Sequence, residues 1–188
     1  MKIINTFFLI LLLLVLISCH NTTSYSIEKG RVGKVSKKTK VKDLKQLFAK
    51  DSLVVRLSEQ KETTGVKKYF KNDDEYLVYE KGGKHLLTLV PISQHDSLST
   101  IKSVEIFDGR YKTKKGITLF SPYKDIHSAY AINVTNTISS AHLDIDELNA
   151  TMLIDKKEIG INRFNRDKIR PDNIPDLAKI KHFTMWFN

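Results

Sequence analysis

Four residues near the amino terminus, Leu16-Ile17-Ser18-Cys19, carry the clearest chemistry in the sequence. They match a bacterial lipobox, in which a small residue precedes the cysteine whose sulfur receives a diacylglycerol group. Lys2 and the unbroken apolar run of 11 residues from Phe7 to Ile17 supply the positive and apolar regions of a signal peptide. The run is too short for a membrane-spanning helix, which needs about 20 apolar residues. We expect residues 1–18 to be a lipoprotein signal peptide; an ordinary secretory signal is the alternative.

Lipidation of Cys19 would determine where the mature chain resides. A thioether diacylglycerol and an amide-linked palmitate anchor a protein stably without spanning the bilayer. Two or more acyl chains give stable membrane binding, whereas a single chain binds only marginally. Residues 19–29 are then the lipidated cysteine and a polar, flexible tether. The residue after Cys19 is His20 rather than an aspartate that retains lipoproteins in the inner membrane, and no acidic run follows. The sequence therefore predicts an outer-membrane lipoprotein that faces the periplasm.

Charge and cysteine content limit the partners. Loss of Lys2 with the signal peptide takes the formal net charge from +10 to +9. Export makes nucleic acid an unsuitable partner, which leaves phospholipid headgroups, lipopolysaccharide or peptidoglycan as polyanions. We favour a solvated lysine-rich surface without a specific partner as the explanation of the charge, although six lysines fall between Lys34 and Lys45. Because Cys19 is the only cysteine, lipidation leaves no disulfide and no thiolate nucleophile. No cofactor is predicted.

The sharpest polar cluster is His142, Asp144 and Asp146. On a strand these residues point to one face, and an imidazole with two carboxylates suits a divalent metal ion. A metal-dependent hydrolase is one hypothesis from this pattern. The alternative is an ordinary half-exposed strand, since side chains two residues apart point in parallel and do not converge on an ion.

Two further segments hold residue types used in catalysis or metal binding. The acidic tetrad Asn72-Asp73-Asp74-Glu75 lacks the glycine and distal glutamate of a calcium-binding loop, so we predict a solvated turn. His95-Asp96-Ser97 has the residue types of a hydrolase triad, but neighbours in sequence do not form one, and no G-x-S-x-G elbow is present. We predict a polar loop there.

Segments 39–48 and 121–130 repeat one design without a gap. Each begins with a hydroxyl residue, Thr39 or Ser121, that is favoured at a helix N-cap. An aspartate, Asp43 or Asp125, follows in the first turn, where the helix dipole favours it. The apolar residues share one helical face, at Val41, Leu44, Leu47 and Phe48 and at Tyr123, Ile126, Ala129 and Tyr130. The match predicts an internal strand–helix–strand duplication with two short capped helices.

The remaining segments favour strands. Runs rich in β-branched and aromatic residues predict strands at 53–57, 75–81, 84–92, 99–107, 132–137, 141–146, 150–155 and 180–187. Gly82-Gly83 is a hairpin signal. Residues 162–176 are predicted to be a loop with a helical turn. The sequence predicts one mainly antiparallel α+β domain over residues 30–188, with repeat-like halves at about 30–95 and 99–188.

Several of these segments resemble the sigma-E-regulated lipoproteins of bacterial envelopes, which carry a domain of unknown function. The resemblance lies in the lipobox and in the segments 30–35, 101–108, 116–126 and 179–186. The chain departs from the family by having no further cysteines and a shorter tether. The resemblance implies an α+β envelope domain and carries over no catalytic residue. The repeated unit also resembles small outer-membrane assembly lipoproteins and lactamase-inhibitor-type repeats at the level of fold.

Three functions remain open from the sequence. The first is a non-enzymatic, lipid-anchored module that binds another envelope component through its sheet. The second is a small-ligand or polyanion binder that uses the region from Lys34 to Lys45 and nearby aromatic residues. The third is the metal-dependent hydrolase centred on His142, Asp144 and Asp146.

Overall fold

The computed structural model describes residues 24–58, 73–162, 164 and 167–187, so Cys19 and the predicted signal peptide lie outside the described residues. The fold is α+β and mainly antiparallel, as predicted. The strands are β1 (Ser26–Glu28), β2 (Arg31–Val32), β3 (Val35–Ser36), β4 (Ser52–Arg56), β5 (Glu75–Tyr79), β6 (His85–Pro91), β7 (Ile101–Ile106), β8 (Lys112–Thr113), β9 (Asn133–Asn136), β10 (Ser140–Ile145), β11 (Ala150–Asp155) and β12 (His182–Trp186).

Eight of these strands form one antiparallel sheet in the order β4-β5-β6-β7-β12-β11-β10-β9. Strands β4 to β7 follow one another along the chain and pair in that order. Strands β9 to β12 do the same in the other half of the sheet. The sheet is therefore two four-stranded meanders that meet where β7 pairs with β12. All eight predicted strands are present, with ends that differ by a few residues.

A short helix accompanies each meander. The first is Leu44–Leu47, which continues a 3₁₀ turn at Val41–Asp43, and the second is Tyr123–Ala129. Further 3₁₀ turns lie at Lys156–Ile159 and at Pro171–Asn173, the latter within the predicted loop. Within the described part of the chain, no helix has the length and apolar composition needed to cross a bilayer.

Both helices begin with the same pair of tertiary hydrogen bonds. The first two backbone N–H groups of each segment donate to two carbonyls that lie just before the last strand of the same meander. The bonds are Val41 to Ser99 (3.0 Å), Lys42 to Ser97 (2.9 Å), Tyr123 to Ala178 (3.1 Å) and Lys124 to Asp176 (2.9 Å). Equivalent donors thus meet equivalent acceptors, which supports the predicted duplication.

The predicted hydroxyl caps behave differently from the expectation. Neither helix has a side-chain cap at its N-terminus. Instead, Thr39 Oγ1 accepts the N–H of Ser36 at 3.0 Å, and Ser121 Oγ accepts the N–H of Thr118 at 3.0 Å. The reason is that the first helical N–H groups are already satisfied by tertiary carbonyls, so the hydroxyls close the preceding turn. The correction applies identically to both halves.

The same alignment places a symmetry axis between β7 and β12. Ser99 and Ala178 are equivalent, so the residues six positions later, Glu105 and Thr184, are equivalent too. These two residues lie directly opposite each other in the β7–β12 ladder. The two meanders are therefore related by an approximate two-fold axis that passes between Glu105 and Thr184.

The hydrophobic core lies between the eight-stranded sheet and the layer that holds the helices. Leu44 and Ile126 occupy equivalent helical positions, and both are fully buried. They pack into one cluster with the core-facing side chains of the sheet, among them Leu87, Val104, Leu143, Met152 and Phe183. Burial of such side chains stabilises the fold by about 1.5–3 kcal/mol each.

A second sheet, in the order β3-β2-β1-β8, completes the helical layer. Its strand β1 lies within the predicted tether, and Ile27 there is buried. The folded part therefore begins before residue 30, where the sequence placed the domain boundary. Gly33 permits this arrangement, because a Cβ atom at its positive φ would lie 2.5 Å from the Ser24 carbonyl oxygen.

A buried carboxylate joins the two sheets. Asp108, with its side chain 1% exposed, lies 2.9 Å from Lys84 Nζ and 2.7 Å from Arg110 Nη2. The Arg110 guanidinium also donates to Glu80 at 2.8 Å and lies 4.7 Å from the centre of the Tyr25 ring. Burial raises the pKa of Asp108, but hydrogen bonds from Arg110 and Lys84 outweigh this effect and hold the pKa at about 2.

This pair of interactions predicts a specific acid sensitivity. Because the folded-state pKa of Asp108 lies below the unfolded value, its stabilisation is present above pH 4 and is lost as the pH falls towards 2. The loss should be about 2 kcal/mol in the free energy of unfolding, measured by urea denaturation across this range. Asp108→Asn should be less stable at pH 7 and show a flatter pH dependence, whereas the exposed control Asp43→Asn should follow the wild type. An Asp108→Asn curve parallel to the wild type would contradict this assignment.

Candidate interaction surface

The eight-stranded sheet turns its second face away from the helices, and we call this the open face. It consists of the residues that alternate with the core-facing positions along each strand. One row of directly opposed residues crosses all eight strands, and it runs Val54, Leu77, Thr88, Glu105, Thr184, Thr151, Asp144 and Asn133. Six of the eight are polar, but Leu77 and Thr88 are buried, so the row is accessible to solvent mainly away from β5 and β6.

An ion-pair geometry lies at the symmetry axis. His182 Nδ1 is 2.6 Å from Glu105 Oε1, across the β7–β12 pair. The side chain of His182 is 40% exposed and that of Glu105 is 28% exposed. The pair therefore presents polar atoms to solvent at the centre of the open face while tying the two halves together.

A chain of hydrogen bonds fixes an aromatic ring on the second-half side of the face. Trp186 Nε1 donates to Thr151 Oγ1 at 3.0 Å, and the Thr151 hydroxyl donates to Asp144 Oδ1 at 2.8 Å. The indole is half-buried, so one part of its ring is accessible. A partly exposed tryptophan held by a hydrogen bond is pre-organised for contact with a partner.

An aromatic stack lies on the first-half side. The His85 ring lies 4.7 Å from the Tyr79 ring and 3.9 Å from the Phe107 ring, nearly parallel to both. His85 Nε2 is 3.1 Å from Thr88 Oγ1, which places the stack on the open face. Burial lowers the pKa of His85, so the stacked imidazole is neutral at pH 7.

The predicted metal ligands lie on this same face. His142, Asp144 and Asp146 alternate with the buried Leu143 and Ile145, as the strand pattern predicts. Each carboxylate is engaged by a neighbour: Asp144 accepts the Thr151 hydroxyl, and Asp146 Oδ2 accepts an N–H of Asn133 at 3.3 Å. In the described ranges no group of three or more His, Cys, Asp or Glu side chains is placed to hold a metal ion.

Sequence reasoning missed a second polar cluster, which joins Ser58, Asp74 and His95. Asp74 is fully buried, in contrast to the solvated turn predicted for this segment. Its Oδ1 accepts the N–H of Ser58 at 2.7 Å and the Ser58 hydroxyl at 2.9 Å, and its Oδ2 accepts the N–H of His95 at 2.6 Å. His95 Nε2 lies 3.0 Å from Ser58 Oγ.

The geometry of this cluster is that of a loop clamp and differs from a catalytic triad. In a triad the carboxylate holds the imidazole nitrogen that faces away from the serine. Here the ring nitrogen nearest Asp74 is Nε2, at 3.9 Å, which is the nitrogen that already faces Ser58. Burial raises the pKa of Asp74, but the hydrogen bonds from His95 and Ser58 outweigh it and leave the pKa lowered. The ionised carboxylate thus holds two loops together, and His95 adopts a positive φ of 55° within the clamp.

Comparisons with known proteins add little to this description. No protein-family model matches the chain, and no curated protein matches it in sequence. The crystal structure of the uncharacterized protein yfeY from Escherichia coli is similar, with a TM-score of 0.49 and 10% identity, over 87% of this chain and 99% of that one.

The clamp predicts a large effect from one carboxylate. Asp74→Ala removes the acceptor of three buried or part-buried donors, so the free energy of unfolding should fall by about 2–4 kcal/mol. Asp96→Ala is the matched control, because Asp96 is exposed and its carboxylate accepts the N–H of Leu98, two residues away, at 2.8 Å. The control should lose less than about 1 kcal/mol. Equal losses in chemical denaturation at pH 7 would show that Asp74 is not a clamp.

Proposed function

We propose that the chain is a lipid-anchored bacterial envelope protein that binds another envelope protein through its open face and catalyses no reaction. Two lines of reasoning support this proposal. The lipobox at Leu16 to Cys19 and the resemblance to the sigma-E-regulated lipoproteins support the anchor. The open face supports the binding role and is the observation on which the proposal depends.

The anchor would keep the domain close to the membrane. Ser24 is the first described residue and follows Cys19 by five positions. A chain of that length spans at most roughly 17 Å. A partner bound to the open face would therefore be held near the outer membrane.

The chemistry of the open face suits protein recognition. It presents Trp186, the stacked Tyr79 and Phe107, and the central Glu105–His182 pair. Tryptophan and tyrosine are among the residue types enriched in binding hot spots, and here they flank a central hydrogen-bonding pair. Hydrogen bonds already hold the indole and the imidazoles in place, so less conformational entropy is lost on binding.

The hydrolase hypothesis ranks below this one. His142, Asp144 and Asp146 point in parallel, and the two carboxylates are occupied by neighbours. The small-ligand hypothesis has specific support from a cavity that Lys34 lines.

A photo-crosslinking experiment in cells of the native host tests the proposal. A photoreactive amino acid at Thr184, on the open face, should give a discrete adduct with one protein. The same group at Lys124, exposed on the second helix, is the matched control and should give none. Adducts in equal yield from both positions, or from neither, would contradict binding through the open face.

The anchor is tested separately on the same material. Wild-type protein should partition with membranes and carry acyl groups on Cys19 by mass spectrometry. Cys19→Ser should be found in the soluble fraction without acyl groups. Membrane partitioning that persists in Cys19→Ser would contradict the lipid anchor but leave the crosslinking result to be judged independently.

A further inference from the structure

The duplication places a lysine over the aromatic residue that ends each helix segment. Lys34 Nζ lies 5.6 Å from the centre of the Phe48 ring, and Lys115 Nζ lies 4.3 Å from the centre of the Tyr130 ring. Phe48 and Tyr130 are equivalent in the alignment of the two segments. The two halves therefore offer the same cation–aromatic element, and its surroundings can be compared.

In the second half this lysine is fully engaged. Lys115 Nζ donates to Glu147 Oε2 at 2.8 Å and to the Ala129 carbonyl oxygen at 2.9 Å. Both distances are those of good hydrogen bonds. The chain itself thus supplies the anion for Lys115.

In the first half the lysine beside the aromatic ring is only loosely paired. Lys34 Nζ is 3.6 Å from Asp51 Oδ2, which is too long for a hydrogen bond. Among the described residues, neither side chain forms any other polar contact. An ammonium and a carboxylate with unused hydrogen-bonding capacity therefore lie side by side.

These two groups line a cavity of about 140 Å³ between the small sheet and the first helix. Ser24, Tyr25, Phe48 and Tyr111 also line it. A cavity of this volume accepts a molecule about the size of benzene.

Tyr111 is a further polar side chain at this cavity. Tyr111 is only 3% exposed, and its hydroxyl forms no hydrogen bond with any described residue. Burial raises the pKa of this hydroxyl, so it remains a neutral donor and acceptor at pH 7. A neutral hydroxyl at the wall of a cavity can donate to or accept from a ligand.

We propose that this cavity binds a small zwitterion that carries a primary ammonium and a phosphate group. The phosphate would contact Lys34, and the ammonium would contact Asp51, the Tyr111 hydroxyl and the faces of Tyr25 and Phe48. The ligand replaces the loose Lys34–Asp51 pair with two closer pairs of opposite charge. Lys115 in the second half is already paired with Glu147, so it is not offered to such a ligand in the same way.

The ligand has two sources with the same chemistry, free phosphoethanolamine and the headgroup of an ethanolamine phospholipid. Ser24 lines the cavity and lies five residues after Cys19, so a bilayer would be within roughly 17 Å. Access to a lipid headgroup rests on the proposed lipidation of Cys19, whereas binding of the free molecule does not.

Calorimetric titration of the full mature chain with O-phosphoethanolamine tests the proposal. Wild type and Cys19→Ser should both bind it saturably. Lys34→Met and Asp51→Asn should each weaken binding at least tenfold, and Tyr111→Phe, which removes only the hydroxyl, by a smaller factor. Lys115→Met is the matched control and should leave affinity unchanged. Thermal melts of each variant establish that it is folded.

Further probes separate the outcomes. Inorganic phosphate alone and ethanolamine alone should bind more weakly than the zwitterion. Vesicles of phosphatidylethanolamine should compete with the soluble probe if the headgroup is the source, and phosphatidylcholine vesicles should not. If neither kind of vesicle competes, the free molecule is the source of the ligand, and the proposed zwitterion site is still supported. No binding by folded wild type, or an equal effect of Lys34→Met and Lys115→Met, would overturn the proposal, and neither result bears on the acylation of Cys19.

Discussion

The antiparallel pairing of β7 with β12 is the constraint on which the rest of the structure depends. Glu105 of β7 pairs directly with its equivalent residue in β12, Thr184. The β7–β12 ladder is therefore the same when it is viewed from either half. This pairing fuses two meanders into one eight-stranded sheet and places both helices on the same side. One face is thereby covered by the helices, and the other is the open face, which is buried locally at Leu77 and Thr88. A slip of one residue would move every side chain of one half to the opposite face and place its polar row in the core.

The duplicated scaffold carries different chemistry in its two halves. Each half satisfies the N-terminus of its helix with carbonyls of the same meander, so this part of the framework is repeated in both halves. Residues outside this shared framework are consequently free to differ. Lys115 is neutralised by Glu147, whereas Lys34 borders a cavity with an incompletely paired carboxylate. The aromatic stack and the indole likewise give the open face a different pattern on each side of the axis.

The sequence predicts the elements of this fold better than their contacts. The strands of the large sheet and the two helices follow from periodicity, since each residue's environment there repeats every two or every three to four positions. Strand β1 was missed because three residues show no period, and it is stabilised by pairing with β8, which lies far along the chain. The predicted hydroxyl caps are absent because tertiary carbonyls accept the helical N–H groups. No local sequence pattern reports such carbonyls. No local pattern reports the contacts of Ser58 and Asp74 with His95. The same holds for the cavity that Lys34 and Tyr111 both line.

A disulfide-trapping measurement tests the two-fold join most directly. In the Cys19→Ser background, Glu105→Cys combined with Thr184→Cys places two thiols on directly opposed residues, whose Cα atoms are within the range that a disulfide bridges. Mild oxidation should then give an internal disulfide, detected by mass spectrometry of unreduced peptides. Glu105→Cys combined with Thr151→Cys spans two strand spacings, about 10 Å, and should retain free thiols. Free thiols in the first variant, or an equal yield of disulfide in both, would contradict the β7–β12 register and the symmetric sheet built on it.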